Sequence, residues 1–175
     1  MKKILLAVLA LLLLCSLVAC SSDDSIPEGT QRVSVETAPF DLFVPSTWVP
    51  MTANGVSGAK MSPTSKVNVT VLTYFPEQVM DAATYWEQKA LPDYRNGALQ
   101  NFTLIEEQCG DALLGGKDAK KYVYTFTLGS ATYEQMQIIA VKDDMVYIMT
   151  YNAPSTEFAD HLEEIETIRS NFRYK

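Results

Sequence analysis

Histidine and cysteine, which supply most metal ligands and many catalytic nucleophiles, are scarce in this chain of 175 residues. It has one histidine, His161, and three cysteines, of which Cys15 and Cys20 lie in a hydrophobic N-terminal stretch. Cys109 is the lone thiol of the remaining body, so the body must be held together by a hydrophobic core rather than by an intrachain disulfide. A structural zinc site needs more Cys and His ligands than these. We expect no metal site and no catalytic Cys–His pair.

The sequence motifs typical of enzymes are also missing. The chain contains no GxSxG, HExxH or CxxC motif and no glycine-rich phosphate loop. Gly115-Gly116-Lys117 lacks the flanking glycine and Ser/Thr of a phosphate loop, so it predicts a hairpin turn. His161 has Glu157 and Glu164 at helical spacing, which we interpret as a solvated helix surface rather than a metal site. We therefore expect a protein that is not an enzyme and binds no cofactor.

Basic residues are outnumbered by acidic ones. The chain has 14 Lys and Arg against 21 Asp and Glu, which gives a formal net charge of −7. Nucleic acids and anionic lipid headgroups are bound mainly through Lys and Arg charge. This balance argues against nucleic acid as a partner.

The first twenty residues have the pattern of a bacterial lipoprotein leader. Met1-Lys2-Lys3 precedes an uncharged, leucine-rich run over residues 4–19, which is shorter than the roughly 20 residues that a membrane-spanning helix needs. The run ends in Leu17-Val18-Ala19-Cys20, which resembles a lipobox, the motif at which a leader is cleaved before a cysteine that is then acylated. The alternative is an ordinary leader with a chance cysteine. We expect Cys20 to carry the lipid anchor.

This leader predicts the organisation and location of the whole chain. Residues 1–19 are the expected leader, residues 20–31 the anchor and a flexible polar tether, and residues 32–175 a single globular domain. Because Lys2 and Lys3 leave with the leader, the formal charge changes from −7 to −9. The expected location is the extracytoplasmic face of a bacterial membrane, to which the protein is held by its N-terminal lipid.

Hydrophobic periodicity predicts strands followed by helices. Two helices are predicted at residues 81–90, capped by Asp81 and ended or kinked by Pro92, and at residues 155–171. Consecutive strands with few helices favour an α+β fold, with an antiparallel sheet of about six strands flanked by helices. The strands are predicted at 32–36, 40–44, 58–61, 66–75, 103–108, 120–128, 133–141 and 145–151.

Three stretches resemble the PsbP-like superfamily. Phe40-Asp41-Leu42-Phe43-Val44-Pro45, followed by Trp48, is similar to the start of the superfamily's domain. Tyr147-Ile148-Met149-Thr150-Tyr151 and Ile168-Arg169-Ser170-Asn171-Phe172 are similar to its last strand and helix. The superfamily includes bacterial lipoproteins of unknown function, DcrB-like envelope proteins and a plant photosystem subunit. The resemblance implies an antiparallel sheet sandwiched by helices in an α/β/α arrangement, and it carries over no catalytic residue.

Aromatic and methionine side chains recur on the later predicted strands. They are either core beneath the helices or an open groove for an apolar ligand or a peptide. The leading hypothesis is a non-enzymatic, lipid-anchored cell-envelope protein that acts as a binding or accessory module recognising an envelope protein. The alternative is a carrier of a small apolar ligand or peptide. Its candidate binding residues are Tyr122, Tyr124, Tyr147 and Met149.

Overall fold

The computed structural model describes residues 25–53 and 56–175, so the predicted leader and its Cys20 lie outside the described residues. Three short strands open the fold: β1 (Thr30–Arg32), β2 (Phe40–Asp41) and β3 (Phe43–Pro45). Strand β1 pairs antiparallel with β3, and β2 pairs with the C-terminal strand β12 (Arg173–Tyr174). The last residues of the predicted tether thus belong to a strand.

The main sheet has eight antiparallel strands. In spatial order the strands are β4 (Val49–Ala53), β5 (Val56–Lys60), β6 (Asn68–Tyr74), β11 (Met145–Pro154), β10 (Ala131–Lys142), β9 (Lys117–Leu128) and β7 (Gln100–Leu104), with β8 (Gly110–Leu114) beside β9. Strand β8 pairs with the edge of β9 that also carries β7, whereas β10 occupies the other edge.

The first helical segment, α1, covers residues 82–98. It begins as an α-helix at Ala82–Tyr85, where the Asp81 carboxylate accepts a hydrogen bond of 2.7 Å from the Thr84 N–H, which confirms the predicted cap. The segment does not end at Pro92, which was one of the two outcomes predicted there, the other being a kink. It continues through wider π-type turns at Trp86–Ala90 and Tyr94–Ala98, with a short α-helical piece, Leu91–Asp93, between them.

The second helix, α2 (Leu162–Ser170), follows a short 3₁₀ turn, Phe158–His161. It is shorter than the predicted helix of residues 155–171, because the 3₁₀ turn takes up part of that span. A further 3₁₀ turn, Glu106–Gln108, lies between β7 and β8. No helix among the described residues has the length and hydrophobicity to cross a membrane.

Two hydrophobic clusters lie on opposite faces of the sheet. On one face, Ile165 and Ile168 of α2 and the C-terminal Phe172 pack on alternate residues of β6, β9, β10 and β11. On the other face, Trp86 and Ala90 of α1 pack on the intervening residues of β9, β10 and β11. This arrangement confirms the predicted α+β class, since the sheet is apolar on both faces and a helix lies on each.

The sheet has more strands than the six predicted. Strand β4 contains Pro50 and lies at the edge, where a missing backbone N–H is tolerated. Strand β8 begins with Gly110 and has no strict alternation of apolar and polar residues. Neither strand therefore shows a clear periodicity in the sequence. Each forms because it pairs with a neighbouring strand, β4 with β5 and β8 with β9, which is a tertiary effect.

Candidate functional site

The four candidate ligand residues do not share a face of the sheet. Tyr122 and Tyr124 lie on β9 in the cluster beneath α1, whereas Tyr147 and Met149 lie on β11 in the cluster beneath α2. The pairing register is the cause, since it places Ala119 and Val123, not Tyr122, on the face of Tyr147. The four residues therefore do not form one aromatic and methionine surface, as the groove alternative required.

Burial decides what these side chains do. Tyr124, Tyr147 and Met149 are all buried, with at most 3 % of their surface exposed. Tyr122 is partly exposed, but the indole ring of Trp86 stacks on it with a centroid distance of 4.0 Å. Burial raises the pKa of the Tyr122 phenol to about 12 and also raises the pKa of Tyr124, so both stay neutral near pH 7. These residues are core, and the proposed carrier loses the surface it was based on.

Cys109 and His161, the other candidate residues from the sequence, each contact a neighbouring polar group. The Cys109 Sγ atom lies 3.4 Å from the Val123 backbone N, which donates to it. His161 Nδ1 lies 3.0 Å from a carboxylate oxygen of Glu164 on the helix surface. The described residues contain no cluster of three or more metal-binding side chains. Gly115-Gly116 forms the predicted hairpin turn between β8 and β9.

An open groove, here the α2 groove, runs between the β8–β9 hairpin and α2, with a volume of about 540 Å³. Met136 and Ile138 of β10 lie in its floor. Leu113 of β8 and Leu162 of α2 are also among its lining residues and are 45 % and 41 % exposed. The groove therefore offers apolar surface that the fold itself leaves uncovered.

Charged side chains of both signs line the same groove. Arg169 of α2 donates hydrogen bonds to the Leu113 backbone carbonyl and to the Glu166 carboxylate, so it ties the helix to β8. This contact with Arg169 lowers the pKa of Glu166 and keeps that carboxylate ionised. Asp118 and Lys121 of β9 add one charge of each sign. An apolar centre with a charged rim is the usual arrangement of a protein–protein interface.

Only part of this groove could be predicted from the sequence. Leu162 belongs to the apolar stripe of the predicted C-terminal helix, yet it is exposed while Ile165 and Ile168 are buried. Leu113 lies on a strand that periodicity missed. Leu162, as an apolar residue of the predicted helix, was therefore the one lining residue that the sequence pattern singled out.

No protein-family model matches the chain, and the comparison with curated proteins finds no match. Solved structures do resemble it. CyanoP, the PsbP of the cyanobacterium Synechocystis sp. PCC 6803, has a TM-score of 0.60 at 12 % identity, over 91 % of this chain and 99 % of that one. This protein has a PsbP-like fold.

Two further structures share the PsbP-like fold. LpqN of Mycobacterium tuberculosis, described as involved in cell envelope biogenesis, has a TM-score of 0.54 at 18 % identity, over 82 % of this chain and 90 % of that one. PA94 of Pseudomonas aeruginosa, a protein of unknown function, has a TM-score of 0.56 at 15 % identity, over 81 % and 94 %. At these identities the likeness establishes the fold alone. None of the three descriptions names a catalytic activity.

Proposed function

We propose that this protein is a non-enzymatic accessory module of the bacterial cell envelope, held to a membrane by a lipid on Cys20, which binds an envelope protein in the α2 groove. The observation that carries the proposal is that two exposed leucines, Leu113 and Leu162, are among the residues that line the groove, together with the apolar Met136 and Ile138. The groove is open and rimmed by charge, which suits a protein surface better than an enclosed small molecule.

The anchor is proposed from the lipobox and from the short distance to the domain. The Ser25 backbone carbonyl already accepts a hydrogen bond of 2.8 Å from Arg173. Ser25 is the fifth residue after Cys20, so even a fully extended link reaches only about 17 Å. The domain would therefore stay close to the membrane, where the proposed partner is an envelope protein. LpqN, a neighbour in fold, is described as involved in envelope biogenesis, which is consistent with this role.

Site-specific photocrosslinking in cells tests the groove. A photoreactive amino acid at Leu113 or at Leu162 should capture the same protein, because both residues line one groove. The control is the same replacement at Phe75, which is 67 % exposed beyond the end of β6 on the other half of the sheet. Capture of one partner from both leucines and not from Phe75 supports the proposal. No capture from the leucines, or equal capture from Phe75, overturns it.

Membrane fractionation tests the anchor separately. The Cys20→Ala variant should move to the soluble fraction, whereas Cys109→Ala, which removes the thiol of the folded body, should remain with membranes. If Cys20→Ala still sediments with membranes after a high-salt wash, the proposed lipid is not the anchor.

A further inference from the structure

A second, smaller pocket lies on the α1 face of the sheet, at the end that carries the β9–β10 turn. Its volume is about 210 Å³, and we name it the basic pocket. It shares no lining residue with the α2 groove, so the two sites can be tested independently. Its lining includes Lys60, Lys66, Asn68, Phe126, Tyr133 and Asn152.

The basic pocket is positively charged in an acidic protein. Lys60 and Lys66 line it, and no carboxylate is among its described lining residues, although the chain has a formal net charge of −7. Within the described part of the chain, neither lysine forms an ion pair. Two ammonium groups without a counter-charge in the pocket favour a ligand that carries a negative charge.

Two amide side chains are held in place beside these lysines. Asn68 and Asn152 lie opposite each other on β6 and β11. Both side-chain Nδ2 atoms donate to the backbone carbonyl of Lys66, at 2.9 Å and 3.4 Å. Since the amide nitrogens are held in this way, the Oδ1 atoms are left as acceptors for hydroxyl groups. An inorganic anion would not use such acceptors.

An aromatic pair forms the apolar wall. Phe126 of β9 and Tyr133 of β10 lie opposite each other with ring centroids 5.7 Å apart and planes at 20°. Tyr133 is 8 % exposed, whereas Phe126 keeps part of its ring accessible. A ring face of this kind offers apolar contact to the C–H groups of a flat, saturated ring. The aromatic wall therefore favours a ligand with a flat ring, in addition to the negative charge that the two lysines favour.

We propose that the basic pocket binds an acidic sugar unit, a pyranose ring that bears a carboxylate or a phosphate, within a larger polysaccharide. The lysines contact the anionic group, the Asn68 and Asn152 carbonyl oxygens accept from hydroxyls, and the sugar ring lies against Phe126. The volume of about 210 Å³ suits one such ring. The polysaccharide continues out of the pocket, because its mouth opens to solvent.

Isothermal titration calorimetry on the full-length protein in detergent tests this proposal. The probes are trigalacturonic acid, the neutral trisaccharide maltotriose and inorganic phosphate. The acidic trisaccharide should bind, and raising the ionic strength should weaken it, because the charges are near the surface. Maltotriose and phosphate should each bind at least tenfold more weakly. Equal binding of maltotriose, equal binding of phosphate, or no binding of trigalacturonic acid overturns the proposal.

Variants locate the binding. One exposed ion pair changes an affinity by roughly two- to fivefold, so replacing both Lys60 and Lys66 by Ala should weaken trigalacturonate binding about tenfold. The matched control removes the same charge elsewhere, with Lys89→Ala and Lys117→Ala together, and should leave affinity within twofold. Phe126→Leu keeps an apolar side chain but loses the flat ring, and it should also weaken binding. If the control pair weakens binding as much as the Lys60 and Lys66 pair, the attraction is not specific to this pocket.

Discussion

Trp86 holds α1 on the sheet, and its removal should cost a large part of the stability of the fold. The indole ring is 2 % exposed and stacks on Tyr122 at 4.0 Å with an angle of 5° between the planes. It also contacts the rings of Tyr94 and Tyr124, both at 5.8 Å. Trp86 is thus the centre of the cluster beneath α1.

The size of the effect follows from buried area and packing. A buried tryptophan removes about 200 Å² from water, which at about 25 cal/mol per Å² amounts to roughly 5 kcal/mol as an upper bound. Alanine retains some of that area, whereas the stacking with Tyr122 and the cavity left behind add to the loss. We expect Trp86→Ala to lower the free energy of unfolding by about 3 to 5 kcal/mol. Trp86→Phe keeps a ring against Tyr122 and should cost roughly half as much.

Urea unfolding followed by far-UV circular dichroism measures both variants, because this signal does not depend on the tryptophan that is removed. The loss should appear as a lower midpoint with an unchanged slope. A loss below about 1 kcal/mol for Trp86→Ala would contradict the packing of α1 on the sheet. Equal losses for the alanine and phenylalanine variants would contradict the role of the stacked ring.

Three further changes test other parts of the fold. Gly115→Ala should lower the free energy of unfolding by roughly 2 to 3 kcal/mol in the same urea assay, because φ is +55° and a Cβ would lie 2.3 Å from the Phe172 carbonyl oxygen. The control is Gly116→Ala, which should lose only about 1 kcal/mol, because no atom lies within 4 Å of its Cβ position. Asp144→Gly should raise the thermal midpoint by a few degrees, equivalent to about 0.5 to 1 kcal/mol, since φ is +62° in this hairpin turn; an unchanged or lower midpoint would contradict this. Arg169 lowers the pKa of Glu166, so Glu166→Gln should cost less than about 1 kcal/mol at pH 7. The difference from wild type should be full above the ordinary glutamate pKa of 4.5 and should shrink as the pH falls through the lowered pKa of the folded state; a difference that does not depend on pH would exclude the ion pair as its cause.

Many local features of the fold could be predicted from sequence because they depend on neighbouring residues. The Asp81 cap and the Gly115-Gly116 turn each follow from a few consecutive side chains and their backbone preferences. The path of the chain through Pro92 could not be predicted in this way. Packing of Trp86 and Ala90 on the sheet favours a continued helix, and wider turns accommodate the proline.

The candidate sites could not be predicted, because each joins residues that are distant in the chain. The α2 groove brings together Leu113 of β8 and Leu162 of α2, and the basic pocket brings together Lys60 and Asn152. Each residue is unremarkable in its own segment. Neither site has a sequence motif, since its geometry depends on which strands pair.

The sequence by itself determined the α+β class and the alternation of side chains along each long strand, because a period of two is a local property of an extended backbone. Only the tertiary structure decided how these alternations line up between strands. The register that pairs Ala140 with both Ala119 and Tyr147 puts Tyr122 on the opposite face from Tyr147. A shift of one residue would have put them together, since each such shift turns every side chain of a strand to the other face.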